Sequence, residues 1–373
     1  MAETKTLFDK VTGELRRDIF ASAAKGDDCK LLSERKLAQK MSVSSTTIRH
    51  AIKHLAAEGV VTSRRGSGNY ISEDIVQGRR TVALGWGHRA AFAPQSPWHP
   101  RVYQKMRSSL EGLGWFTHTY PLFHVSEELD DKVMSQLEAD ALSRKFTGFI
   151  SFPEFRFLKP GFQELLEGLG IRYLNFDILS PTNAVVTDYH ALGTMGAKYL
   201  YEQGVRKMGL IGMSFDTTGG LGADYQGFVG VRHEHPDIVI SDSWVRLANA
   251  SISLGREGFK QIWSAPERPE GLLVSDEVAF IGVVMGMMEL GVRYPEDLKL
   301  VVQGSTKAEN PCVYSPPRLT FCPEQVGTNT VDSLLRMIRE EVQTVPTVRF
   351  SPAFVPEEAA EVREREELMS VNC

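Results

Sequence analysis

The sequence predicts a mixed α/β protein in two parts: an N-terminal helical module ending in a short β-hairpin wing, and a larger α/β body built as two lobes. Three observations carry this. Residues 31–71 hold two short amphipathic helical patterns, a tight turn between them and a Gly-Ser-Gly hairpin tip after them; apolar strands alternate with amphipathic helices from Thr81 onward; and that alternation restarts once, near Lys207. A chain of 373 residues accommodates two or three domains. The expected boundaries are 1–71 for the winged module, 72–80 for a linker, 81–356 for the two-lobed body and 357–373 for a charged tail.

Leu7, Val11, Leu15 and Ile19 recur at helical spacing, with Phe8 and Phe20 beside the same stripe, which predicts a helix over 5–24. Ser33 can cap the next helix, with Glu34 in its first turn, where the helix dipole favours an acid. Ser44 can cap a third, whose Ile48, Ala51, Ile52 and Leu55 fall on one face. The opposite face carries Ser45, Thr46, Arg49, His50 and Lys53. Short hydroxyls followed by a basic row suit a helix lying in the major groove of DNA, although charged helix faces are often merely solvated. Val60–Thr62 and Asn69–Ile71 read as paired strands, with Arg64, Arg65, Gly66, Ser67 and Gly68 at a tip where glycine permits positive φ and exposes amides to phosphate.

Charge is distributed to match. The total is −5, yet residues 1–80 hold 15 Lys plus Arg against 10 Asp plus Glu, leaving 27 against 37 for the rest. A basic module on an acidic body implies that only the first part meets a polyanion. With 42% hydrophobic residues the chain has ample material for buried cores. Cys29, Cys312, Cys322 and Cys373 are scattered without metal-ligand spacing, so reduced thiols are expected. Neither a signal-peptide core nor a membrane-length apolar run is present, which points to the cytoplasm and away from a membrane.

In the body, the predicted order is TVALGW, a helix over WHPRVYQKMRSSLEGLG, WFTHTY, a helix over SEELDDKVMSQLEADALS, TGFISF, a helix over 162–169 and RYLNFD. After VVTDYHALGTMGAKYLYEQG comes KMGLIG, a Gly-rich loop, a helix over 225–233, a strand over IVISDSWVRL, the helix GREGFKQIWSA, GLLVSD, the helix VAFIGVVMGMMELG and DLKLVVQG. VRFSPAFV reads as a closing strand. Such lobes bind small molecules beyond the carboxyl ends of their strands.

Residues 31–71 resemble the winged helix-turn-helix of GntR-family bacterial transcription regulators, through LLSERKLA, SVSSTTIRHAIKHLAAEGVV and RRGSGNYI. The resemblance places DNA contacts on Arg35, Ser45, Thr47, Arg49, Arg65 and Gly66; the residues themselves add Thr46, Lys53 and Arg64. Where many members carry arginine this chain has Ser45, too short to bridge to a guanine, and His50 replaces a common glutamate.

Residues 81–356 resemble the effector domain of LacI/GalR regulators, related to type 1 periplasmic binding proteins, through VVTDYHALGTMGAKYLYEQGVRKMGLIG, LLVSDEVAFIGVVMGMMELGVRYPEDLKLV and SPPRLTFCPEQVGTNTVDSLL. The fused order is similar to AraR-type regulators. The resemblance implies a homodimer, double-stranded operator DNA as partner, no cofactor, and a small-molecule effector such as a sugar. It puts ligand contacts on Asp276 and Asp188, each of which also fits a helix N-cap. Asp224 stands where the family usually has arginine, and Ser305 where it usually has a strand-end aspartate. Trp98, Phe152, Phe215 and Trp244 lie near strand ends, either stacking on a sugar or packing the core.

The expected function is a ligand-responsive transcription regulator, a repressor in preference to an activator, and not an enzyme. A pyridoxal-phosphate enzyme fused to such a reader would need a Lys-centred motif, and GMSFDTTGGLG does not follow G-x-G-x-x-G order. A helical metal-binding body would need clustered histidines, whereas only His233 and His235 lie close together. A free solute-binding protein would need an export signal.

Overall fold

In the computed structural model, the described residues are 7–25, 29–57, 60–73, 80–87, 98–122, 124–125, 128–129, 131–152, 161–177, 180–213, 222–248, 250–306 and 312–357. The chain divides into two compact units, Met1–Gly87 with Ser108–Leu174 and Ser333–Thr344, and His88–Arg107 with Asn175–Asp332 and Val345–Cys373. Gly59, most of the 72–80 linker, Phe215 and most of the 357–373 tail lie outside the described residues.

The first unit begins with α1 (Leu7–Lys25), α2 (Glu34–Lys40) and α3 (Ser45–Ala57), followed by β1 (Val61–Arg64) and β2 (Gly68–Ile71). Ser33 caps α2, accepting from the Lys36 amide at 3.4 Å, and the Ser44 hydroxyl caps α3 by accepting from the Thr47 amide at 3.1 Å. Val11, Leu15 and Ile19 of α1 meet Leu37, Ala38, Ile48, Ala51, Ile52, Leu55, Val61 and Ile71 in one buried cluster. This module therefore has a core of its own. The wing is an antiparallel hairpin with Val61 opposite Ile71 and Arg64 opposite Gly68. Its tip turns through Gly66 at φ 76° and Gly68 at φ 116°, a backbone that L side chains rarely adopt.

Next come β3 (Thr81–Gly87), α4 (Trp98–Gly112), β4 (Phe116–Leu122), the short strands β5 (His124–Val125) and β6 (Glu128–Leu129), α5 (Asp131–Leu142), β7 (Gly148–Phe152), α6 (Phe162–Leu169) and β8 (Arg172–Phe176). Strand β3 pairs in parallel with β4 on one edge and β7 on the other. The helix expected over 126–143 is shorter than the pattern suggested, because β6 takes part of its N-terminal end.

The last two residues of β8 open the second unit, Asn175 and Phe176 pairing in parallel with Ala184 and Val185 of β9 (Ala184–Thr187). Then follow α7 (Tyr189–Glu202), β10 (Met208–Gly212), α8 (Ala223–Gly230), β11 (Val245–Leu247), α9 (Ile252–Trp263), β12 (Gly271–Val274), α10 (Glu277–Leu290), β13 (Lys299–Ser305), β14 (Arg318–Phe321), α11 (Pro323–Arg339), β15 (Val348–Phe350) and β16 (Ala353–Val355). Here one six-stranded sheet runs β11-β10-β12-β13-β14-β16, parallel except for β16 at its edge. The fold is thus a winged helix-turn-helix followed by two parallel-sheet lobes.

Two expectations are corrected. IVISDSWVRL is a strand only over Val245–Leu247; Ser241 caps a single 3-10 turn at Asp242–Trp244, accepting from the Ser243 amide at 3.3 Å. VRFSPAFV is two strands in two different sheets, β15 beside β9 and β16 beside β14. Ser351-Pro352 separates them, and proline has no N–H to continue a ladder.

Glycines set how closely the helices of this unit approach. A Cβ on Gly193 of α7 would lie 1.9 Å from the Asp224 carbonyl oxygen, and one on Gly227 of α8 would lie 2.0 Å from that of His190. The same reciprocal arrangement joins α9 to α10, with Gly255 facing the Ala279 carbonyl at 2.2 Å and Gly282 facing that of Ile252 at 1.9 Å. Backbone cannot swing aside as a side chain can, so Gly282→Ala is expected to destabilise the protein by about 1–3 kcal/mol, read as a lowered denaturation midpoint. A midpoint equal to that of the wild type would show that the helices separate freely.

Candidate functional site

Helix α3 presents Ser45, Thr46, Arg49 and Lys53 to solvent, backed by the fully buried Ile48, Ala51 and Leu55. Thr47 is half-buried, and its hydroxyl shares a 2.8 Å hydrogen bond with that of Ser44. Arg35 is exposed on α2, beside Glu34, whose Oε2 accepts from the Arg49 Nε at 3.0 Å. At the wing, Arg64, Arg65 and Gly66 are all exposed. The Arg64 guanidinium lies 4.7 Å from the centre of the Tyr70 ring, and the Lys30 ammonium lies 5.7 Å from the same ring. A hydrogen bond from Ser67 and these two cations lower the Tyr70 phenol from its ordinary value. Sequence reasoning missed Lys30, whose segment pairs with the wing through the Leu31 amide to the Asn69 carbonyl at 2.8 Å and the Ile71 amide to that of Cys29 at 2.7 Å. The polar loop before Ser33 gave no signal for this isolated bridge to the wing.

The second unit gathers carboxylates at the carboxyl ends of its strands. Asp276 follows β12 and caps α10, its Oδ1 accepting from the amides of Val278 and Ala279 at 2.9 and 2.7 Å. The residue is only 6% exposed, and burial raises its carboxyl from the usual 3.8 to about 6. Among the described residues, no hydrogen bond is donated to its Oδ2. Asp188 caps α7, accepting from the Ala191 amide at 2.9 Å, and is half-buried. The adjacent Tyr189 has its phenol pushed well above its ordinary value by burial and by the carboxylates of Asp177, Asp276 and Asp224. Its ring contacts Phe321 at 5.5 Å, and Phe321 contacts Trp98 at 6.0 Å.

Asp224 sits inside the unit, not at an open surface. At 1% exposure it accepts from the Met213 amide at 3.0 Å, the Tyr225 amide at 2.9 Å and the Ser275 hydroxyl. Ser305, 1% exposed at the end of β13, donates its amide and its hydroxyl to the two oxygens of Glu277, each at 2.9 Å. Burial raises the Glu277 carboxyl, while Arg101 and Arg318 pull it back. Arg101 also donates to Glu324 at 2.7 Å. Glu277 was overlooked because its neighbour Asp276 absorbed the reading of SDEV, and Arg101 because a lone helix arginine is usually solvated.

The aromatic expectations divide. Trp98 is 5% exposed, and Trp244 is 1% exposed with its Nε1 donating to the Glu267 carbonyl at 2.7 Å, so Trp244 packs the core of its sheet. The backbone of Phe152 ends β7, while Phe215 lies outside the described residues. A surface cavity of about 800 Å³, lined in part by Trp263, Arg268, Glu270 and Pro295, opens at the amino ends of β12 and β13, opposite the carboxylate cluster.

Comparison with known proteins agrees with this geometry. Residues 7–71 match the family described as bacterial regulatory proteins, gntR family, and residues 197–358 match the periplasmic binding protein-like domain. The order of the two matches, a helix-turn-helix followed by a periplasmic binding protein-like domain, is the order in which the fold places the winged module and the second unit. The chain is 27% identical over 169 residues to the HTH-type transcriptional repressor PurR of Escherichia coli O139:H28, covering 44% of this chain and 48% of that one. The chain thus spans about half the length of the curated relatives it matches. Among solved structures, it is similar to a LacI transcriptional regulator of Bacillus cereus subsp. cytotoxis, described there as putative, with TM-score 0.60 and 16% identity over 75% of this chain and 97% of that one. The transcriptional regulator CelR, solved as a cellobiose complex, gives TM-score 0.61 and 16% identity over 96% and 100%. Among the described residues, no helix is long and apolar enough to cross a membrane.

The Asp276 carboxyl gives a pH prediction for this chain. Its folded-state value of about 6 lies above the ordinary 3.8, so its contribution to stability is fully present below about pH 4 and is lost as pH rises through about 6. Asp276→Asn keeps an oxygen that can cap α10 and removes the ionisation. Relative to this variant, the wild type is expected to lose melting temperature between pH 4 and 6, and a difference that stays flat over that window would refute the burial of the carboxylate.

Proposed function

We propose that this chain is a ligand-responsive bacterial transcription regulator, acting as a homodimeric cytoplasmic repressor that is not an enzyme. The observation that carries the reading is the exposed row Ser45, Thr46, Arg49 and Lys53 on a capped helix with its own packed core, beside a wing tip of Arg64, Arg65 and Gly66. Two such modules in a dimer would engage a pseudo-palindromic operator, α3 in the major groove and the wing against the backbone.

The effector is a small molecule, a sugar or related metabolite, bound near Asp276 and Asp188, with Asp224 and Ser305 as inner supports and Trp98 as a candidate apolar contact. Support comes from the cellobiose held by the structurally similar CelR and from Asp276 and Asp188 at the strand ends, carboxylates being groups that can accept hydrogen bonds from sugar hydroxyls. The effector acts by shifting an equilibrium between two arrangements with different operator affinity, which requires it to bind one of them better. The cluster also contains Arg101 and Arg318, so an anionic metabolite is the second reading.

Arg49→Glu is expected to abolish binding to DNA upstream of the chain's own coding region while leaving the effector response intact. Fluorescence anisotropy over a salt series measures this, and a wild-type protein without salt-sensitive affinity for that DNA would overturn the regulatory reading. In a thermal-shift screen of monosaccharides and disaccharides, a true effector raises the melting temperature of the wild type. The Asp276→Asn variant is expected to lose that shift while keeping its DNA affinity; an equal shift would leave Asp276 as a helix cap.

A further inference from the structure

The ion pair between Glu34 and Arg49 invites a question about charge. Glu34 is the first residue of α2, and its side chain is 30% exposed, against 59% for Arg49. A pair this exposed contributes little to stability. A carboxylate beside a row that meets phosphate also repels the DNA, so its presence there calls for a compensating role. Helix α2 already has Ser33 as its cap, although an acid in the first turn also suits the helix dipole.

We infer that Glu34 is a positioning residue for sequence reading: it grips Arg49 at Nε and leaves the two Nη groups as a fork for the O6 and N7 of a guanine. The inference rests on reading α3 as the recognition helix. Glu34 accepts at Nε, 3.0 Å away, and among the described residues no other hydrogen bond engages the Arg49 guanidinium. A guanidinium fixed at one edge has lost most of its rotational freedom while keeping the donor pair that matches guanine. The neighbours on the same face cannot take that part. Ser45, one turn earlier, is too short, and Lys53, one turn later, is a point charge without a planar fork. Arg49 is the arginine of the exposed α3 row, and Glu34 supplies the orientation that converts a phosphate-seeking charge into a base-reading one.

The test uses the full chain and the duplex that the wild-type protein enriches from a randomised pool. The enriched site is expected to contain a guanine whose preference disappears in Arg49→Lys, with the salt dependence of binding unchanged because the charge is kept. Glu34→Ala is expected to lower the ratio of selected to random affinity by about five- to a hundredfold, the discrimination of one bidentate arginine contact. Its affinity for random duplex stays equal or rises. The double variant loses no more than the worse single one, because both remove the same contact.

Glu34→Gln, which keeps the length and an acceptor oxygen, retains most of the ratio; it also covers the case in which alanine unfolds α2, as read by melting temperature. The inference is overturned if Glu34→Ala folds and keeps the ratio, if Glu34→Gln folds and loses it as fully as alanine, or if the two losses multiply. A wild-type protein that enriches no sequence removes the regulatory reading itself, and this inference with it.

Discussion

Backbone-to-backbone contact between helices underlies the candidate site of the second unit. Gly193 and Gly227 let α7 and α8 touch carbonyl to Cα, and Gly255 and Gly282 do the same for α9 and α10. Helices held this close have their N-terminal turns fixed in relation to the sheet, and those turns carry Asp188, Asp224, Asp276 and Glu277. Side chains larger than hydrogen at the four glycines would push the helices apart and carry the carboxylates with them. The site is therefore built by close packing at some distance from its own polar atoms.

Helix N-termini explain how so many carboxylates tolerate burial. Asp276 receives two backbone amides, Asp188 one, and Asp224 two amides and a hydroxyl. These donors offset the cost of removing a carboxylate from water, but incompletely, since both Asp276 and Asp224 have their carboxyls raised by burial. Glu277 is treated differently, its two oxygens held by the amide and hydroxyl of Ser305 with two arginines in range. The unit thus holds carboxylates of graded acidity within one region, an arrangement suited to accepting hydrogen bonds from a polar ligand.

The winged module works on a simpler principle. Its apolar residues are spent on one small core, and what remains outside is short, polar or basic. Contacts between the outward groups then refine the surface: Glu34 with Arg49, Arg64 and Lys30 with Tyr70, Ser44 with Thr47. Such pairings bias which groups are presented to a partner without adding much to stability.

The division between sequence and tertiary structure follows from the range of the forces involved. Periodicity and capping residues are local, so helices α1 to α3, the wing and the alternation of the body could be read from the chain, as could the caps at Ser33 and Ser44. The sequence also placed Asp276 at a strand end before a helix, where the structure finds it capping α10. Pairings between distant residues lie beyond such a reading. That VRFSPAFV splits between two sheets, that Lys30 reaches Tyr70, that Glu34 engages Arg49 and that Glu277 holds Ser305 are decided by which elements the fold brings side by side. Local preference determines the elements; only tertiary packing determines which carboxylates are buried, and hence which groups carry shifted acidity.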